Sequence, residues 1–147
     1  MSLYSRVKEG QTSCRWLGAL LLVSLILLTA CDETMRMSYP TAAAARADAA
    51  VQRGWLPKEL PNSATNISEA HDLDTNTGGG SFQFGAADVD SFRAQLRPAS
   101  DELVNQHFRH ADPFRDQGYR FYEVSRFVLA VHWQTRRVHF VLNYRPR

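Results

Sequence analysis

The clearest pattern of hydrophobic and polar positions lies near the C-terminus, in FVLAVHWQTRRVHFVLNY, Phe127 to Tyr144. Apolar residues recur at every second position, which predicts two antiparallel strands joined by a tight turn near Thr135-Arg136. With that turn, Trp133 faces Val138, Val131 faces Phe140, Leu129 faces Leu142 and Phe127 faces Tyr144. Residues opposed across a hairpin share a face, so one face is almost wholly apolar. The other carries Val128, Ala130, His132, Arg137, His139, Val141 and Asn143, and is expected to meet solvent or a partner.

Upstream, PTAAAARADAAVQRGW predicts a helix, with Thr41 placed as its cap and Gly54 as its stop. Pro57 and Pro61 then leave an extended or turning connector in which Trp55 and Leu56 plug the edge of a core. A strand is expected from about Asn66 to Leu73, followed by DTNTGGG as a loop. A short strand should then bury Phe82 and Phe84, which alternate with Ser81 and Gln83. Asp88 is positioned to cap a helix reaching Leu96, with Val89, Phe92 and Leu96 at helical spacing and Pro98 closing it. Another short helix should begin at Ser100 and be broken by ADPFRDQG. The sum is an α+β fold: a small antiparallel sheet, including the C-terminal hairpin, packed against two or three short helices.

The N-terminus follows different rules. Arg6, Lys8 and Arg15, offset by Glu9, precede thirteen uncharged residues, Trp16 to Leu28. As a helix that run spans about 20 Å at about 1.5 Å per residue, short of the ~30 Å hydrocarbon core. It suits the apolar centre of a signal peptide and not a permanent span. Thr29 and Ala30 are small, and Cys31 comes next. The cluster Leu28-Thr29-Ala30-Cys31 resembles the lipobox of bacterial lipoproteins. That resemblance implies cleavage between Ala30 and Cys31, diacylglycerol on the Cys31 thiol, and acylation of the new amine, palmitate-type chains serving as the anchor. Asp32 resembles the signal that keeps many Gram-negative lipoproteins in the inner membrane. The expected address is therefore the periplasmic side of the inner membrane, with the outer membrane as the alternative. The expected organisation is residues 1–30 as signal peptide, 31–39 as lipidated N-terminus and tether, and 40–147 as one α+β domain.

Charge narrows the function classes. The chain holds 17 Lys and Arg against 15 Asp and Glu; the leader takes three and one of these, leaving fourteen of each. A balanced mature chain gives no support to nucleic-acid binding by bulk charge, so no nucleic-acid partner is expected. The charges are spread unevenly, with eight acids over residues 59–102 and seven arginines over residues 115–147. Complementary regions of one fold account for that. Cys14 leaves with the leader and Cys31 is consumed by lipid, so neither an intrachain disulfide nor cysteine chemistry remains.

Candidate chemistry is sparse. His71, Asp72, Asp74 and Asn76 offer nitrogen and oxygen ligands, and Asp72-x-Asp74-x-Asn76 imitates the start of a calcium loop. The loop's sixth position is Thr77 instead of Gly and its twelfth is Gln83 instead of Glu, which excludes a helix-flanked calcium hand. A looser metal site competes with a plain role in capping the turn. His107 and His110, with Asp112 near, form a second candidate ligand pair or a solvated helix end. His132 and His139, opposed in the predicted register and flanked by Arg137, could hold an anion or titrate together. No nucleophile motif, paired-carboxylate pattern or phosphate-cradling loop is present.

The string RGWLPKELPNSATNISEAHDLDTN, within Arg53 to Phe84, resembles a loosely defined group of small bacterial envelope proteins. The resemblance implies an intact domain of that group and transfers no catalytic residue. The expected function is a lipid-anchored, non-enzymatic binding or structural module. It would have no cofactor beyond the lipid on Cys31, and its partners would be the membrane and an envelope protein. The alternative is a small metal-binding protein or metal-assisted hydrolase using His71-Asp72-Leu73-Asp74.

Overall fold

A computed structural model describes residues 34–143, and these belong to one compact unit. The leader, Ala30, Cys31 and Tyr144 lie outside the described residues.

Seven strands form one antiparallel sheet in the order β1-β2-β3-β7-β6-β5-β4. They are β1 (Thr34–Thr41), β2 (Thr65–Asp72), β3 (Thr77–Gln83), β4 (Arg97–Pro98), β5 (Arg120–Val124), β6 (Phe127–His132) and β7 (Arg137–Leu142). Four short helices accompany it: α1 (Ala42–Ala47), α2 (Val89–Arg93), α3 (Asp101–His107) and α4 (Ala111–Asp116). The fold is thus broadly α+β and dominated by its sheet. Where the sequence suggests a tether, Thr34–Thr41 is the edge strand, paired with β2 from Thr34↔Asp72 to Thr41↔Thr65.

The predicted first helix starts where expected but ends at Ala47, well before Gly54. Thr41 caps it by accepting from the Ala44 N–H at 3.2 Å. It then closes early: Ala49 takes a left-handed φ of 58°, Ala50 N–H reaches Ala45 O at 3.0 Å, and Ala49 N–H reaches Arg46 O at 2.9 Å. This two-bond closure satisfies the terminal carbonyls. The same pair of bonds recurs one turn later, from Trp55 to Ala50 O and from Gly54 to Val51 O, with Gly54 at φ 84°. The early closure leaves Ala50 fully buried.

The glycine run is strand, not loop. Gly78, Gly79 and Gly80 lie within β3, and the turn shrinks to the residues between Asp72 and Thr77. Close approach explains their identity. A Cβ on Gly80 would stand 2.0 Å from Ser68 O and 2.7 Å from Phe140 Cζ; one on Gly79 would stand 2.7 Å from Phe140 O. Asp88 does not cap α2. Its carboxylate accepts from Ser63 N–H (3.0 Å) and Ser63 Oγ (2.6 Å), and these bonds hold its pKa below the usual carboxylate range. ADPFRD, expected to break a helix, forms α4.

The C-terminal hairpin exists, but in a register two residues away from the predicted one. Val131 pairs with Val138, Leu129 with Phe140 and Phe127 with Leu142. Four residues, Trp133 to Arg136, make the turn; Arg136 has φ 54°, and Thr135 N–H donates to His132 Nδ1 at 3.2 Å. An even shift keeps every side chain on its predicted face. The second face does not meet solvent along β6. Phe127, Leu129 and Val131 join a cluster with Ala42, Ala45, Leu56, Ile67, Phe82, Phe92 and Phe140. Val128 and Ala130 join another with Leu103, Val104, Phe108, Ala111 and Tyr119.

Candidate functional site

Strand β2 puts polar residues where the core would ordinarily have apolar ones. Its period of two places Ile67, Glu69 and His71 on one face, and all three are buried. Glu69 is 3% exposed and His71 6%. They satisfy each other: His71 Nδ1 lies 2.7 Å from Glu69 Oε2. An ionised carboxylate can only accept, so the proton belongs on Nδ1 and a neutral ring keeps its lone pair on Nε2. The other carboxylate oxygen, Glu69 Oε1, is buried without a hydrogen-bond partner.

Neighbouring elements hold this pair in place. The left-handed turn at Gly54 delivers Trp55, whose indole stacks on the His71 ring with centroids 3.9 Å apart and planes 7° apart. Across β3, His71 pairs with Gly78 and Glu69 with Gly80. A Cβ on Gly78 would press to 3.3 Å from His71 Cβ. Glycine is therefore what lets β3 lie close beneath the imidazole.

A second polar group adjoins it. Tyr39, paired with Ile67 on the same face, donates its hydroxyl to Asp48 Oδ2 at 2.7 Å. Arg53 reaches the same carboxylate at 2.9 Å and also the Asp48 carbonyl. Burial first, then the hydrogen bond to Asp48 and the charges of Asp48 and Glu69, push the Tyr39 pKa up to about 12. The hydrogen bonds from Tyr39 and Arg53 hold Asp48 low. Glu69 acts electrostatically on both Tyr39 and Arg53, so the two groups share one field. Chemically, the ensemble offers a buried carboxylate with one free oxygen and an oriented imidazole.

The residues predicted as a metal site are dispersed around this point. His71 faces the core with Glu69, while Asp72, the next residue along β2, faces the other way. The Asp72 carboxylate accepts the Asp74 and Thr75 N–H groups at 2.9 and 3.0 Å, the turn-capping role. Asp74 is exposed, and Asn76 takes a left-handed φ of 51°. Among the described residues no group of three or more His, Cys, Asp or Glu is placed to hold a metal ion. His107 is half-buried, with Nε2 lacking a partner; His110 is exposed and precedes α4, and Asp112 pairs with Arg115 at 3.0 Å.

His132 and His139 are not opposed. His132 pairs with Arg137, and His139 with Ala130. Tyr119 contacts both imidazoles, with ring centroids 5.1 Å from His132 and 5.6 Å from His139, and Phe114 packs edge-on to His139 at 5.2 Å. Burial, then the Arg137 charge, lowers the His139 pKa. Sequence reasoning passed over Glu69, Trp55 and Tyr39 as site residues. One signal was available for Glu69: with Ile67 and His71 it falls on a single face of the predicted strand.

A seven-stranded antiparallel sheet with a few short helices and a polar pair buried in β2, next to the edge strand, defines the class. Within it, residues 33–83 match the family model described as the YbbD head domain. This stretch, from β1 to the end of β3, is thereby similar to a bacterial YbbD-like family, and it contains Tyr39, Asp48, Arg53, Trp55, Glu69 and His71. It also covers nearly all of the Arg53–Phe84 string noted in the sequence. No curated protein and no solved structure matches the chain.

Proposed function

We propose that the chain is a lipid-anchored cell-envelope module. Acyl chains on Cys31 hold it at the periplasmic face of a membrane, the inner one by the Asp32 signal, and its folded domain binds an envelope partner without turning over a substrate. The observation that carries this reading is the lipobox Leu28-Thr29-Ala30-Cys31 behind an apolar run too short to span a bilayer.

The Cys31→Ala variant tests the anchor. It should accumulate with its leader intact, and recovery of mature variant in membranes at the wild-type level would refute the reading. Crosslinking in cells tests the binding role: a discrete partner adduct supports it, and a domain found alone at native abundance counts against it.

One observation favours the metal reading as a second possibility. A carboxylate bonded to Nδ1 is how metal-ligating histidines are commonly oriented, and Glu69 does this for His71. Protein purified without chelator should then carry metal or melt higher on adding zinc or calcium. An empty protein with unshifted melting removes this reading, together with any metal-assisted hydrolysis.

A further inference from the structure

The large hydrophobic residues exposed among the described residues are Met35 at 49%, Met37 at 36% and Leu73 at 56%. They come from two segments that register brings together. Thr34 pairs with Asp72, so Leu73, in the β2–β3 turn, adjoins the start of β1; Met35 and Met37 follow on one face of that strand, beside His71 and Glu69. Isolated exposed apolar residues are ordinary, but three gathered at one place mark a surface that something covers.

The length of chain outside the described residues identifies the occupant. Cys31 lies three residues before Thr34, and three residues reach at most about 11 Å. We propose, resting on the lipid-anchor reading above, that Met35, Met37 and Leu73 form a membrane-seating patch. It would press into the headgroup boundary of the bilayer that holds the Cys31 acyl chains and fix the orientation of the domain. Long, flexible methionine side chains and a leucine on a turn are suited to shallow insertion. The charges around the patch are mixed, Arg36 against Asp72 and Asp74, so contact rests on apolar insertion and does not require anionic lipid.

Among the described residues β1 also ends the sheet, which makes a second copy of the chain the rival occupant. The mature lipidated protein, reconstituted into phosphatidylcholine vesicles, separates the two. With the Cys31 sulfur carrying the diacylglyceryl group, an introduced cysteine is the single free thiol. An environment-sensitive fluorophore at Leu73→Cys or Met35→Cys should shift to the blue and be quenched by nitroxide-labelled lipid. The same probe at Gln134→Cys, in the exposed β6–β7 turn at the other end of the sheet, should do neither. Probes at 35 and 73 as solvated as the one at 134 would overturn the proposal. So would blue-shifted probes that nitroxide lipid does not quench and that crosslink to a second copy. Wild-type protein that takes up thiol label at residue 31 would instead refute the anchor, which keeps the two failures distinct.

Discussion

Strands β2 and β6 meet burial in opposite ways. In β6, Phe127, Val128, Leu129, Ala130 and Val131 are all buried, divided between two apolar clusters on the two faces of the sheet. In β2 only alternate residues are buried, and two of the three are Glu69 and His71. Apolar burial of the β6 kind contributes about 1.5–3 kcal/mol per large side chain. A buried carboxylate and imidazole bring a desolvation penalty that their mutual hydrogen bond offsets only in part, more so with Glu69 Oε1 unpaired. The chemically distinctive groups therefore sit toward one side of the sheet, in β1 to β3 and the segments between them. Those three are the strands that match the YbbD head domain.

The sharpest way to break this comparison is at the joint between the regions. Gly80→Val would drive a side chain into Ser68 O and the Phe140 ring. Backbone cannot yield as a flexible side chain does, so we expect a loss of at least about 3 kcal/mol, with no cooperative thermal transition remaining. A variant that melts within a few degrees of wild type would show that β3 and β7 are less closely packed than described.

The polar pair gives the next effect. Glu69→Ala leaves the His71 donor buried alone and His71→Phe leaves the carboxylate alone, each expected to destabilise by about 1–3 kcal/mol in urea unfolding. The double variant Glu69→Leu/His71→Phe should be more stable than either single one, because no buried polar group is left without a partner. Additive losses would mean that the two side chains do not depend on each other.

His139 provides a smaller, pH-dependent effect. Its folded pKa lies below the ordinary 6.5, so the unfolded chain takes the proton first. Its contribution is complete above 6.5 and is lost as the pH falls through the depressed folded value. His139→Gln should flatten this acid limb of stability; a gap between variant and wild type that stays constant from neutrality downward would contradict the assignment. The smallest expected change is a gain. Ala49→Gly relieves a left-handed alanine and should stabilise by about 0.5–1 kcal/mol, while a loss would mean that the break between Ala47 and Ala50 is not strained.

Much of the fold was legible in the residues. Thr41 and Ser100 mark real helix starts and Gly54 a real left-handed turn, because caps and left-handed turns are local chemistry. The faces of the final hairpin were legible for the same reason, since a period of two survives an even error in register. What depends on distant partners was not. Gly78 to Gly80 read as a loop until Phe140 and Ser68 lie against them, and Asp88 reads as a cap until Ser63 arrives from the connector. β5 escaped notice because RFYEV carries no clean alternation. The site was legible by half: His71 stood out by type, whereas Glu69 and Trp55 matter only through their contacts with it.

Everything proposed about location rests on Cys31. The most direct measurement is the intact mass of protein extracted from membranes by detergent. A chain beginning at residue 31 and carrying a diacylglyceryl group and an amide-linked acyl chain is the predicted result. A free thiol at residue 31, or a chain that still carries residues 1–30, would contradict the account.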